Sequence, residues 1–62
     1  MNFTLKFKIL QKFPSQADFA KVVGLSESGL SRIIRERREP EPDLKATIAL
    51  KLGVTQDEIF QS

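Results

Sequence analysis

The chain has no cysteine, histidine, tryptophan or tyrosine among its 62 residues. Without cysteine, no disulfide can supplement a small core. Without cysteine or histidine, the usual zinc sites and the thiol and imidazole forms of nucleophilic and general-base catalysis are excluded. No apolar run approaches the ~20 residues that a membrane span requires, and the N-terminus lacks a charged region followed by a long apolar stretch and a cleavage site. These absences leave a cytosolic chain, expected to form one domain over residues 1–62. It lies near the lower size limit at which burial outweighs chain entropy, with an expected stability of ~3–5 kcal/mol. Only three glycines and three prolines are present, so the places where they stand carry information.

The net charge is only +2, but it is unevenly spread. Residues 1–38 hold eight Lys or Arg against three acids (Asp18, Glu27 and Glu36), a sum of +5, whereas residues 39–62 hold two Lys against five acids, a sum of −3. The first part suits a polyanion and the second suits solvent or a partner. Chance clustering on a solvated surface would give the same totals.

Residues 3–13 carry two periods at once. Phe3, Leu5, Phe7 and Ile9 alternate with polar residues as in a half-buried strand, while Leu5, Ile9 and Phe13 recur at helical spacing. A helix from about Thr4, capped by its hydroxyl, to about Lys12 is the favoured reading, with Pro14 fixing the exit. A short strand over residues 2–6 is the alternative. On the helix, Phe3, Phe7 and Leu10 form a second apolar face nearly opposite Leu5 and Ile9, surplus to one small core and suited to a dimer contact.

Ser15-Gln-Ala-Asp18 resembles a capping box and opens a second helix that runs to Val23, where Gly24 supplies the stop through its access to positive φ. Ser26 caps a third helix that continues through Leu30, Ile33 and Ile34 toward Arg37. Gly29 lies inside it at a cost of roughly 1 kcal/mol relative to Ala, which suggests that a side chain there would be in the way. Pro40-Glu-Pro42 forms a stiff extended connector. A fourth helix from about Pro42 to Leu52 presents Leu44, Ile48, Ala49 and Leu52 on one side and ends at Gly53. Thr55-Gln-Asp-Glu58 is a cleaner capping box, opening a last short helix that ends in Ile59 and Phe60. The expected fold is all-α, a compact bundle of five short helices.

Residues 16–33, QADFAKVVGLSESGLSRI, have the spacing of two short helices crossing at a tight turn, and the usual physical use of that motif is to push the second helix into the major groove of DNA. If Leu30 and Ile33 pack on Phe19, Ala20 and Val23, then Glu27, Ser28, Ser31 and Arg32 face outward, with Ser26 and Gly29 at the approach edge. Arg32 can donate two parallel hydrogen bonds to guanine O6 and N7, Glu27 can accept from cytosine N4, and a serine hydroxyl can bond several base edges. Gly29 would let the helix backbone come close to DNA. Arg35, Arg37 and Arg38 follow, and guanidinium groups fork onto phosphate oxygens, although pairing with Glu36 and Glu39 accounts for part of that run. Gln16 opens the second helix, where its amide and the terminal N–H groups suit a phosphate, and Lys21 and Lys45 are weaker candidates for the same contact. Without the turn spacing, the same residues would read as ordinary solvated surface.

The stretch SQADFAKVVGLSESGLSRI, followed by RERREP and then IALKLGVTQDEIF, resembles the XRE-type helix-turn-helix family, the phage Cro and repressor DNA-binding domains, over about residues 13–60. The resemblance implies a lambda repressor-like fold, phosphate contact by Gln16, base reading by Ser26, Glu27, Ser28 and Arg32, and contacts from a basic loop holding Arg35, Arg37 and Arg38. It further implies a regulator at work on the DNA of a bacterial cell or phage-infected host. Three positions depart from the family pattern. Glu27 stands where many relatives carry a neutral reader, Ile34 replaces a commonly acidic residue, and Glu36 stands where a glycine often ends the third helix, which leaves room for that helix to run longer. The opening FTLKF also looks like the start of the lambda-type Cro proteins, which begin with a strand.

The leading functional expectation is a sequence-specific, Cro-like or repressor-type transcriptional regulator that binds double-stranded operator DNA as a homodimer. The alternatives are an antitoxin-type or other protein-interaction module, and the DNA-binding piece of a longer repressor, a reading kept open because Gln61-Ser62 follows directly on the last helix. No acid–base pair or phosphate cradle emerges, so the chain is not expected to be an enzyme. No cofactor, metal, membrane or small-molecule substrate is expected.

Overall fold

A computed structural model describes residues 1–60; Gln61 and Ser62 lie outside the described residues. Five helices follow in order: α1 (Phe3–Lys12), α2 (Gln16–Val22), α3 (Glu27–Ile34), α4 (Pro42–Leu52) and α5 (Gln56–Ile59), with no strand among the described residues. Each helix gives one stripe to a common core of Leu5, Ile9, Phe19, Ala20, Val23, Leu30, Ile33, Ile34, Ile48, Ala49, Leu52 and Ile59. Phe13 leans on Phe19 from the edge, ring centroids 4.9 Å apart and tilted by 58°, a favourable aromatic geometry. Among the described residues, no polar or charged residue is buried.

The N-terminus resolves the double period in favour of the helix. Leu5 and Ile9 are both fully buried, and a helix turns both toward the core, whereas a strand would also have turned Phe3 and Phe7 inward. The strand over residues 2–6 is therefore absent, and Thr4 is not the cap. Asn2 caps α1, its Oδ1 accepting from the Leu5 N–H at 3.0 Å. Asn2 also donates its backbone N–H to the Ile34 carbonyl at the end of α3, at 2.6 Å, and its side-chain amide to the Ile59 carbonyl of α5. Asparagine is an intrinsically good cap, and here it satisfies two further carbonyls that Thr4 does not reach.

At α2 the expected capping box is half formed. Ser15 Oγ accepts from the Asp18 N–H at 3.2 Å, but the Asp18 carboxylate takes the Ser15 hydroxyl at 3.1 Å instead of reaching back to the Ser15 N–H. Aspartate is one methylene shorter than the glutamate such a box prefers. At α5, where the residue is Glu58, both halves of the box with Thr55 are present. Pro42 occupies the first turn of α4 and Gly53 its left-handed end, as the sequence predicts.

α2 and α4 end alike. After α2, Leu25 N–H bonds to the Ala20 carbonyl and Gly24 N–H to that of Lys21; after α4, Val54 N–H bonds to Ala49 and Gly53 N–H to Leu50. Both are Schellman closures around a left-handed glycine, Gly24 at φ 75° and Gly53 at φ 69°. α3 ends in the same pattern, Arg37 N–H to the Arg32 carbonyl at 2.9 Å and Glu36 N–H to that of Ile33 at 3.1 Å. The left-handed residue is there Glu36, φ 63°. The helix therefore does not run on toward Arg37: it stops at Ile34, and glutamate takes the backbone role of the missing glycine.

Candidate nucleic-acid interface

The Gly24 turn delivers the chain to Ser26, whose Oγ accepts from the Gly29 N–H at 3.0 Å and starts α3. Leu30, Ile33 and Ile34 bury one side of that helix. Successive residues of an α-helix are turned by about 100°, which puts Glu27, Ser28, Ser31, Arg32 and Arg35 within an arc of roughly 140° centred opposite the buried stripe. Glu27, Ser28, Arg32 and Arg35 are exposed and Ser31 is half-buried. This is the polar face expected from the sequence, with one change of membership. Arg35, expected among the phosphate contacts, sits over the middle of the face because its backbone is still right-handed helical. Ser26 is exposed at the leading edge.

A side chain at Gly29 would be crowded, as its place inside the helix suggests. A Cβ built there would meet Ser26 Oγ at 3.2 Å and Arg38 Nη1 at 3.6 Å. The tight contact is with the Ser26 hydroxyl that caps α3, while the Arg38 guanidinium lies at ordinary contact distance. Arg38 is held from the other side by Glu41, Nη2 lying 3.4 Å from Oε1. Glu41 is the N-cap residue of α4 but spends its carboxylate on this pair and makes no side-chain cap bond. Glu41 is thus a positioning residue that the sequence reading missed; the signal was its i,i+3 spacing from Arg38 across Pro40.

The remaining cations divide into free and engaged. Among the described residues, no carboxylate lies within ion-pair distance of Arg32, Arg35, Arg37 or Lys21, and all four are exposed. Lys45 is half-buried, pairs with Glu39 and lies 5.8 Å over the Phe60 ring, so its charge is already spent within the fold. Gln16 is the first residue of α2, half-buried beside the cap, with the Asp18 carboxylate two residues on. The acid within the arginine run is also engaged: the Glu36 carboxylate bonds the Met1 ammonium at 3.1 Å, which directs its negative charge toward the start of α1. No helix of the described residues is long and apolar enough to cross a membrane.

What this arrangement offers is a helix with an unobstructed polar face of hydroxyls, one carboxylate and two guanidinium groups, bordered by a third free guanidinium on the following turn. A family model described as helix-turn-helix matches residues 15–59, from the Ser15 cap of α2 to the last residue of α5. Among curated proteins and among solved structures no match was found. With the match spanning well over half of its residues, the chain belongs to the XRE-type helix-turn-helix family of DNA-binding domains.

Proposed function

We propose that the protein is a sequence-specific transcriptional regulator of the Cro or repressor kind, acting in a bacterial cell or phage-infected host, which lays α3 in the major groove of operator DNA. The observation that carries this reading is the outward face of α3: every side chain on it can donate to or accept from a base edge, and none is apolar. Ser26, Glu27, Ser28, Ser31 and Arg32 read bases, with Arg32 forking onto a guanine and Glu27 accepting from a cytosine amino group. Arg35, over the middle of the outward face, enters the groove with them, and Gln16, Lys21, Arg37 and, once released from Glu41, Arg38 contact phosphates and fix the register. Lys45 is the weakest member of that set, since a phosphate must displace Glu39 to reach it.

The chain extends only 27 × 22 × 20 Å between Cα atoms. Successive half-sites on one face of B-DNA lie ~34 Å apart, so reading two of them takes two copies of the chain related by the operator's two-fold axis. Phosphate neutralisation by several cations per copy makes the binding steeply salt-dependent. The test is a titration on the operator identified by footprinting the DNA that flanks the coding region. An affinity loss of about 10³-fold is expected between ~50 and ~200 mM salt. An affinity that does not move over this range, or equal binding to all sequences, overturns the reading.

A further inference from the structure

Phe3 and Phe7 are 70% and 64% exposed, and with half-exposed Leu10 they form one ridge along the outer side of α1. Neighbouring side chains make it a shallow trough of about 510 Å³ lined by Phe3, Thr4, Lys6, Phe7 and Leu10. Buried phenylalanines each remove roughly 200 Å² from water, so this ridge leaves on the order of 400 Å² of apolar surface wet, at the size where patches mark interaction sites. We infer that this face of α1 is the contact between two copies of the chain, packed antiparallel about a two-fold axis near Phe7. The inference supplies the dimer that the proposed operator binding calls for, and rests on that reading only there.

Two observations favour a second copy as the occupant. The ridge is self-complementary: with residue spacings of four and three, antiparallel pairing sets Phe3 against Leu10 of the other copy and Phe7 against Phe7, and a two-fold contact closes without exposing a new edge. The area fits as well. Two such ridges bury on the order of 800–900 Å², and the exposed rim of Thr4, Gln11 and Pro14 brings the contact to about the 1,000 Å² of a weak but specific interface. Charge then sets its strength. α1 carries lysines and no acid, but by the helical turn of about 100° per residue Lys8 and Lys12 point well away from the ridge, and Lys6 alone borders it. A dimer therefore opposes one Lys6 to another, a repulsion that a flexible stem eases and that salt screens.

Sedimentation equilibrium of the free protein, without DNA, is the test. The expected result is a monomer–dimer equilibrium with a dissociation constant between ~10 µM and ~1 mM that tightens several-fold from ~50 to ~500 mM salt, opposite in sign to the DNA affinity. Phe7→Glu should raise that constant at least tenfold while leaving the melting temperature within ~2 °C, because Phe7 has no part in the core. A chain that stays monomeric to ~1 mM at every salt concentration overturns the inference and points to another occupant, such as an acid-flanked partner helix. A dimer that Phe7→Glu leaves intact overturns it equally. Because no DNA is present, dimerisation without operator binding would sink the functional reading alone, and operator binding by a chain that is monomeric when free and pairs only on the DNA would sink this one alone.

Discussion

The turn that enters α3 and the turn that leaves it have the same hydrogen-bond pattern and opposite chemistry. Both close with a residue at positive φ, Gly24 at 75° and Glu36 at 63°. Around Gly24 the closing pair is apolar, Leu25 against the Ala20 turn, and Leu25 packs on the core. Around Glu36 the corresponding positions are Arg37 and Arg32, both exposed. A Schellman closure ordinarily brings a hydrophobic contact across these two places; here it brings two guanidinium groups to the same side of a helix end. Entry into α3 is thus built for stability. The exit accepts a left-handed glutamate, a strain of about 1–2 kcal/mol, and displays charge.

The largest effect is expected from straining the entry turn. Gly24→Val puts a β-branched residue at φ 75°; no atom lies within 4 Å of the new Cβ, so the cost is backbone strain alone. It should reach about 2–3 kcal/mol, a fall in melting temperature of roughly 10–20 °C for a domain this small. Unchanged melting would refute the assigned geometry. Next comes the pair of arginines joined by the exit turn. Arg32→Ala should cost ~1–3 kcal/mol on operator and relax preference at one base pair, while Arg37→Ala weakens operator and random DNA alike. Competition binding separates the two, and equal losses on both DNAs for Arg32→Ala would remove it from the reading set.

Asn2→Ala removes the cap of α1 and one anchor on α5, while the backbone bond to Ile34 stays. About 1–2 kcal/mol should be lost, seen as a melting shift of roughly 4–12 °C. Thr4→Ala should do far less, and the reverse ranking would restore Thr4 as the cap. The smallest expected effect has the opposite sign. Glu36→Gly relieves the strain at the exit turn but gives up an exposed bridge to Met1 and adds chain entropy, for a net gain near 0.5 kcal/mol. Thermal melting decides it, and a loss of stability would mean that the Met1 bridge outweighs the strain.

Much of this was legible in the sequence wherever the signal is local. Pro42, Gly53, Gly24 and the Thr55 box set helix ends within one residue, because each acts on backbone groups three or four positions away. The polar face of α3 was legible from the apolar period of Leu30, Ile33 and Ile34 alone. What escaped depends on distant partners. Asn2 outranks Thr4 through carbonyls of α3 and α5 that no local pattern shows. The approach of Arg38 to within contact distance of Gly29, nine positions earlier, has no local signature either. Lys45, a weaker phosphate candidate in the sequence, has Glu39 and the Phe60 ring beside it. The end of α3 was misjudged because a glutamate carries no signature of positive φ.

The bond from Asn2 to Ile59 spans 57 positions, almost the whole described chain, whereas the Gly24 turn joins helices adjacent in sequence. Closing a loop that long costs entropy before any contact repays it. The α2–α3 unit can therefore assemble early from short-range contacts, and the Asn2 latch closes late, once α1 and α5 have both arrived. By the same reasoning the latch can reopen without melting the rest, as local openings do in native proteins. In amide hydrogen exchange the order of protection should follow: among these hydrogen-bonded amides, that of Asn2 exchanges before those of Leu25 and Leu30.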